Sequence, residues 1–270
     1  MPHKTPARGF YVIIATMQTK QTLIIANLKQ NPNTLKEAVI LARNYINLKK
    51  TSKNANIGMA LPLPFLYPIQ KEFGKSITIY AQSVSAYIYG PHTGETSAKQ
   101  LISIGIKNTI IGHSERRAMG ETNESIRDQV ENALAENMNV ILCVGEIQRH
   151  GDATHIHFVE QQLEIGLMKT KKQDFKNITI AYEPVWAIGE IATRSANVNE
   201  IYEMTIIIRK KLVEIFGKIS GSSIKIIYGG SVNSTDCKEI MSVHHIEGLL
   251  VGHASLNTKE MKKIIDIARK

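Results

Sequence analysis

The feature that most constrains this chain is an alternation running from residue 22 onward. Short apolar runs rich in β-branched residues are separated by longer stretches that are apolar along one face. Such alternation is the pattern of repeated β-strand and α-helix units built on a parallel sheet. The strand candidates fall at 22–26, 56–60, 77–81, 108–111, 139–144, 178–182, 224–228 and 248–251. Runs such as Ile224-Lys225-Ile226-Ile227-Tyr228 are close to continuously apolar, as expected of parallel strands covered on both faces. Helical periodicity is expected over 34–48, 124–137 and 201–216, with Asn33 and Asn123 as N-caps and Gly217 as a C-terminal stop. The number of strands suits a (β/α) barrel, but an open doubly wound sheet gives the same alternation.

The absence of certain motifs narrows the choice. No Gly-x-Gly-x-x-Gly follows the first strand and no Gly-Lys-Ser/Thr phosphate loop occurs, which argues against a dinucleotide or nucleotide fold. Pro, Gly and Ser occur as short punctuation with no linker-like run, so 270 residues are expected to form one domain. Cys143 and Cys237 are the two cysteines, without metal-ligand spacing, so neither a disulfide framework, a zinc site nor any other metal site is expected. No apolar run approaches the roughly 20 residues of a membrane span. The expectation is a soluble, cytoplasmic protein with no membrane partner.

The net charge of +9 is compatible with a nucleic-acid surface or with a field that favours small anions. The basic residues are spread along helical stretches, as in Arg209-Lys210-Lys211, with no nucleic-acid module beside them, so nucleic acid is not an expected partner. Residues 1–21 form an N-terminal extension expected to be poorly ordered, ahead of a catalytic domain over 22–270. The first 36 residues carry no acid, loosely like a transit peptide. A start at Met17, or an ordinary disordered tail, explains that more simply.

Polar residues cluster just after the strands: Asn27-Leu28-Lys29, Gly112-His113-Ser114-Glu115-Arg116-Arg117, Glu183-Pro184, Gly229-Gly230-Ser231 and Gly252-His253-Ala254-Ser255. Taken singly, each has an ordinary explanation: a solvated lysine, a histidine at a helix start, glycines that turn the chain. In a barrel these positions would gather on one face. Together they provide a carboxylate base, an imidazole, a cation and backbone NH groups at glycine turns. That set can enolise a phosphorylated carbonyl compound.

The run Ala181-Tyr182-Glu183-Pro184-Val185-Trp186-Ala187-Ile188-Gly189 resembles the base-and-lid signature of the triosephosphate isomerase family. Gly112 to Arg117, Tyr228-Gly229-Gly230-Ser231-Val232 and Thr93-Gly94-Glu95 resemble further segments of that family in the same order. The resemblance runs from about residue 23 to the C-terminus and implies a single-domain (β/α)8 TIM barrel. It also implies interconversion of dihydroxyacetone phosphate and D-glyceraldehyde 3-phosphate through an enediolate, without a cofactor.

The resemblance makes Glu183 the base, His113 a neutral hydrogen-bond donor at a helix start and Lys29 the cation. Asn27 is their hydrogen-bonding neighbour. Glu115 corresponds to a buried carboxylate that holds the lysine, with pairing to Arg116 or Arg117 a close alternative. Backbone NH groups of Gly189, Ser231, Gly252 and His253 would grip the phosphate. Ile188 and Leu250 would close over the base, Tyr228 and Ser231 would latch a lid running from Pro184 to about Thr193, and Thr93 would reach the active site of a homodimer partner.

Several positions depart from the family pattern. Leu28 stands in place of a tryptophan, the stretch 118–121 is one residue short, the lid tip reads Gly189-Glu190-Ile191-Ala192, and His253 replaces a glycine. The altered lid keeps open an impaired relative that binds a phosphorylated ligand or serves as a scaffold.

Overall fold

The computed structural model describes residues 21–149, 152–189, 192 and 194–269. The N-terminal extension, apart from Gln21, and Glu190, Ile191 and Thr193 at the lid tip lie outside these residues.

Eight parallel strands close into a barrel in sequence order, each hydrogen-bonded to the next and β8 to β1. They are β1 Thr22–Asn27, β2 Ala55–Leu61, β3 Thr78–Ala81, β4 Asn108–Ile111, β5 Asn139–Val144, β6 Ile178–Tyr182, β7 Lys225–Tyr228 and β8 Ile246–Val251. The closing pair sets Leu23 against Gly248 and Ala26 against Val251. No side chain could stand at Gly248, because the Leu23 carbonyl occupies the place of a Cβ. Closure, which periodicity left open, thus depends on a glycine where two strand backbones meet.

Among the described residues ten α-helices surround the barrel: α1 Leu35–Thr51, α2 Leu63–Phe73, α3 Ala98–Ser103, α4 Ser114–Ala118, α5 Asn123–Ala135, α6 Thr154–Leu167, α7 Val198–Phe216, α8 Lys218–Ser223, α9 Cys237–Ser242 and α10 Thr258–Ala268. No helix of the described residues is long and apolar enough to cross a membrane. The caps differ by one residue from expectation. Thr34 and Thr122, not Asn33 and Asn123, accept from the third helical NH, completing capping boxes with Glu37 and Ser125. Asn123 instead accepts from Arg117 at 2.7 Å. Gly217 does stop α7, at φ 85°, where a side chain would be strained.

Alternation along each strand divides the apolar residues into two sets. Leu23, Ile25, Ile110, Ile141, Ala181, Ile227 and Leu250 fill the barrel interior. Ile24, Ile57, Leu142, Ile180 and Ile226 face outward into a larger core with Met204, Ile208 and Leu212 of α7. Each fully buried side chain of this size contributes about 1.5–3 kcal/mol. The framework carrying the strand ends is therefore rigid, and the polar clusters sit at the C-terminal rim.

Candidate active site

A pocket of about 240 Å³ opens at that rim. Its wall includes Asn27, Lys29, His113, Ile188, Gly189, Ser231, Leu250, Gly252 and His253, residues from five separate strand ends. Glu183, just after β6 and 2% exposed, lies behind the lining residues His113, Ser114 and Gly229, with His113 Nε2 within reach of its carboxylate.

His113 is the N-cap of α4, and its Nδ1 accepts from the Glu115 backbone NH at 3.2 Å. A ring that accepts at Nδ1 carries its proton on Nε2 and is neutral. That Nε2 lies 3.5 Å from Glu183 Oε1. Glu183 Oε2 accepts from the Ser114 backbone NH at 2.9 Å, whereas Oε1 has no hydrogen-bond partner among the described residues. The helix start therefore positions both groups, holding one oxygen of the carboxylate and leaving the other beside the imidazole. Behind them, burial and the Glu183 charge raise the Cys143 thiol pKa well above its usual range, so it stays protonated.

Lys29 follows β1 in the left-handed region at φ 51°, unusual for a residue with a side chain. Its backbone NH donates to Asn27 Oδ1 at 3.1 Å and its carbonyl accepts from Gln82 at 2.8 Å. Gln82 also donates to Asn27 Oδ1 and to the Ala60 carbonyl. These bonds sustain a conformation that otherwise costs about 1–3 kcal/mol. The ammonium donates to Glu115 Oε1 at 2.6 Å. Between the alternatives for Glu115, the structure selects the lysine: Arg116 pairs with Glu121, and Arg117 spans the Gly112 carbonyl, Asn123 and the Cys143 carbonyl. Glu115 is not buried in the single chain, however, its side chain being half exposed.

Gly252 leaves room for the Lys29 side chain. A Cβ there would stand 3.1 Å from Lys29 Cε, so a glycine after β8 lets the lysine lie along the pocket wall. The turn after it, His253–Leu256, is tied down by two buried bonds. Tyr45 donates to the Ser255 carbonyl at 2.6 Å, and Ser255 Oγ donates to the Asn27 carbonyl at 3.2 Å. Ser231 and His253 are exposed at the mouth. Tyr228 is buried beneath Gly230, near the Tyr182 ring, with no hydrogen bond to residues 184–189 among the described residues. Thr93 lies away from the pocket, exposed in a loop beside Tyr87 and His92, whose rings stack at 3.5 Å.

Sequence reasoning missed two residues that support the site, Gln82 and Glu146. Both lie within two residues of a strand's C-terminal end, the signal that picked out the others. Glu146 accepts from Tyr182 Oη at 2.9 Å and Trp186 Nε1 at 2.8 Å. Burial raises its pKa, against the lowering effect of these donors.

The triosephosphate isomerase family model matches residues 22–268. A triosephosphate isomerase of Cytophaga hutchinsonii is 37% identical over 254 residues, covering 93% of this chain and 99% of that protein. Those of Chlorobium phaeobacteroides and Coprinopsis cinerea are 35% and 36% identical, covering 92% and 88% of this chain and 99% and 94% of their own lengths. With a barrel closed in sequence order and a rim pocket that brings the matched segments together, the chain belongs to the triosephosphate isomerase family.

Proposed function

We propose that the chain interconverts dihydroxyacetone phosphate and D-glyceraldehyde 3-phosphate, with Glu183 as base, His113 as electrophile and Lys29 as counter-cation. The carrying observation is the arrangement of Glu183 and His113: a buried carboxylate oxygen with no hydrogen-bond partner among the described residues by distance and angle, 3.5 Å from the Nε2 of a ring whose Nδ1 accepts a backbone NH. Glu183 takes the proton from the carbon beside the carbonyl. The C–H electrons form the C=C bond of the enediolate, and the carbonyl π electrons move onto its oxygen. His113 Nε2–H and the Lys29 ammonium, on the pocket wall, stabilise that oxygen. The hydroxyl proton passes from the other enediolate oxygen to this one by way of His113 Nε2, and Glu183 delivers its proton to the former carbonyl carbon while the C–O bond of its neighbour becomes the new carbonyl. No electrons are gained or lost overall, so the reaction needs neither a redox cofactor nor a co-substrate.

The phosphate would sit among Gly189, Ser231, Gly252 and His253, which line the same pocket and carry backbone NH groups suited to an anion. Asn27 fixes Lys29 and thereby orients its charge. Ile188 and Leu250 flank the pocket and dry it when the segment after Pro184 moves in.

A homodimer is part of the same reading. Tyr87, Ile88 and Tyr89 are exposed in the loop that carries Thr93, Tyr89 at 87%. A groove of about 290 Å³, lined by Leu63, Gln82 and Arg116 among others, lies next to the site and is suited to receive a second copy's loop. Such a loop would cover Glu115, supplying the burial that the single chain lacks. A cytoplasmic location accords with two free, buried cysteines.

The test is a coupled assay with D-glyceraldehyde 3-phosphate on the parent, Glu183→Gln and His113→Gln. Removing the base should lower kcat by about 100- to 10,000-fold. Loss of the donor should lower it by about 100- to 1,000-fold. An inactive parent would sink the isomerase reading and leave a binding or scaffold protein. Full activity in Glu183→Gln would sink the assigned mechanism.

A further inference from the structure

We propose that Arg194 is a positioning residue that holds Trp186, and with it the segment 184–189, in its resting place at the rim of the pocket. The inference rests on the isomerase reading for its consequence but on geometry alone for its existence. Trp186 is the sole tryptophan of the chain and lies in the short 3-10 turn Val185–Ala187. Its indole NH is bound to Glu146, and the Arg194 guanidinium lies over its ring, Cζ 4.6 Å from the centroid.

Arg194 is itself tied to the scaffold. Its Nη1 and Nη2 donate to the two oxygens of Glu200 at 2.8 and 2.6 Å, a bidentate pairing with fixed orientation. Glu200 is the third residue of α7 and caps that helix through the Asn197 NH at 2.9 Å, so it does not move with the loop. Trp186 is thus held at its edge by a carboxylate after β5 and on its face by a cation anchored to α7. Arg194 comes from the far end of the loop that Trp186 begins, so one side chain joins the two ends.

Ile188 and Gly189 line the rim of the pocket, Gly189 exposed and Ile188 only half-buried, so this segment borders the pocket without covering it. Drawing it inward moves the indole relative to Glu146 and Glu200, which belong to the barrel and α7. The Arg194 contact therefore opposes closure and sets how readily a phosphorylated ligand can recruit the segment.

The experiment uses the full-length chain with Arg194→Ala and Glu200→Gln, the latter keeping a capping side chain on α7. Acrylamide quenching of Trp186 fluorescence without ligand should increase in both variants, because one ring face is uncovered. Titration with 2-phosphoglycolate, a phosphorylated carboxylate that imitates the enediolate, should show affinity tightened by about two- to five-fold, the equivalent of one exposed cation–π contact. Unchanged quenching in Arg194→Ala overturns the proposal, as does increased quenching with unchanged or weaker affinity. If the parent neither turns over the triose phosphates nor binds 2-phosphoglycolate, the isomerase reading fails, and quenching alone decides whether Arg194 holds Trp186.

Discussion

Gly229→Ala tests Glu183 as the base without altering any group that performs chemistry. Gly229 follows β7, and a Cβ built on it would stand 2.9 Å from Glu183 Cγ and 3.3 Å from Oε1. Its φ is not in the left-handed region, so alanine adds no backbone strain there. To reach ordinary contact at 3.4 Å, Cγ must retreat by 3.4 − 2.9 = 0.5 Å. Glu183 is 2% exposed and its Oε2 is held by the Ser114 NH, so the carboxylate cannot shift without losing that bond or leaving Nε2 of His113. Misplacing a reacting group by 1 Å costs about 100-fold, so half that displacement should lower kcat by about 10- to 100-fold. Stability should suffer less, the usual cost of one extra methyl group being about 1–3 kcal/mol.

The assay is steady-state turnover of D-glyceraldehyde 3-phosphate beside a thermal melt, in a double-mutant cycle with Glu183→Gln. If the methyl acts through the carboxylate, adding Gly229→Ala to Glu183→Gln should cost little more, because the displaced group no longer serves as base. A Gly229→Ala enzyme that folds and turns over within two-fold of the parent, on the order of measurement error for such effects, would refute the placement of the base. Full additivity of the two losses would mean that the alanine acts elsewhere.

Three further outcomes follow from the contacts around the pocket. Tyr45→Phe leaves the Ser255 carbonyl without its buried donor and should cost about 1–3 kcal/mol in denaturant melts, with a raised KM because the turn behind Gly252 loosens. Gln82→Met removes the amide that serves Asn27, the Lys29 carbonyl and the Ala60 carbonyl, and should lower kcat/KM about 10-fold, since a group held about half an ångström off its productive geometry loses preorganisation. The Arg194 hydrogen bond is the largest influence lowering the Glu200 pKa, with Arg149 4.0 Å away. Its stabilising effect is present above the ordinary value of 4.5 and is lost as pH falls through the lowered folded value. The melting difference between the parent and Arg194→Ala should therefore be present at neutral pH and close in acid. A gap that persists where Glu200 is protonated would deny the pairing.

What the chain discloses by inspection depends on whether a property is local. Strand positions are local: 108–111, 139–144 and 178–182 coincide with β4, β5 and β6, because buried parallel strands leave an apolar signature. Strand-end polar residues are equally visible, and they carried nearly all of the pocket wall. Closure of the barrel is not local, since it depends on the Leu23 carbonyl meeting a glycine 225 positions later. The caps were misplaced by one residue because asparagine and threonine are both good N-caps, and Arg117 claims Asn123 from outside the helix. Glu115, expected to be buried, is half exposed in the single chain, a property that no local pattern around it discloses.

The same distinction explains why Arg194 and Glu146 escaped notice while Glu183 did not. Glu183 is embedded in a contiguous run whose pattern can be read directly. Arg194 matters through Trp186, eight positions earlier, and through Glu200, six positions later, and no one-dimensional period joins the three. The lid-tip substitutions fall at residues 189–192, and among the described residues side-chain anchors lie on either side, at Trp186 with Glu146 and at Arg194 with Glu200. A tip that departs from its family can thus retain defined hinges. Changes at Gly189 to Ala192 should alter how substrate is covered, whereas changes at Arg194 or Glu146 should alter how readily the cover moves, two effects that a split between ligand affinity and turnover keeps apart.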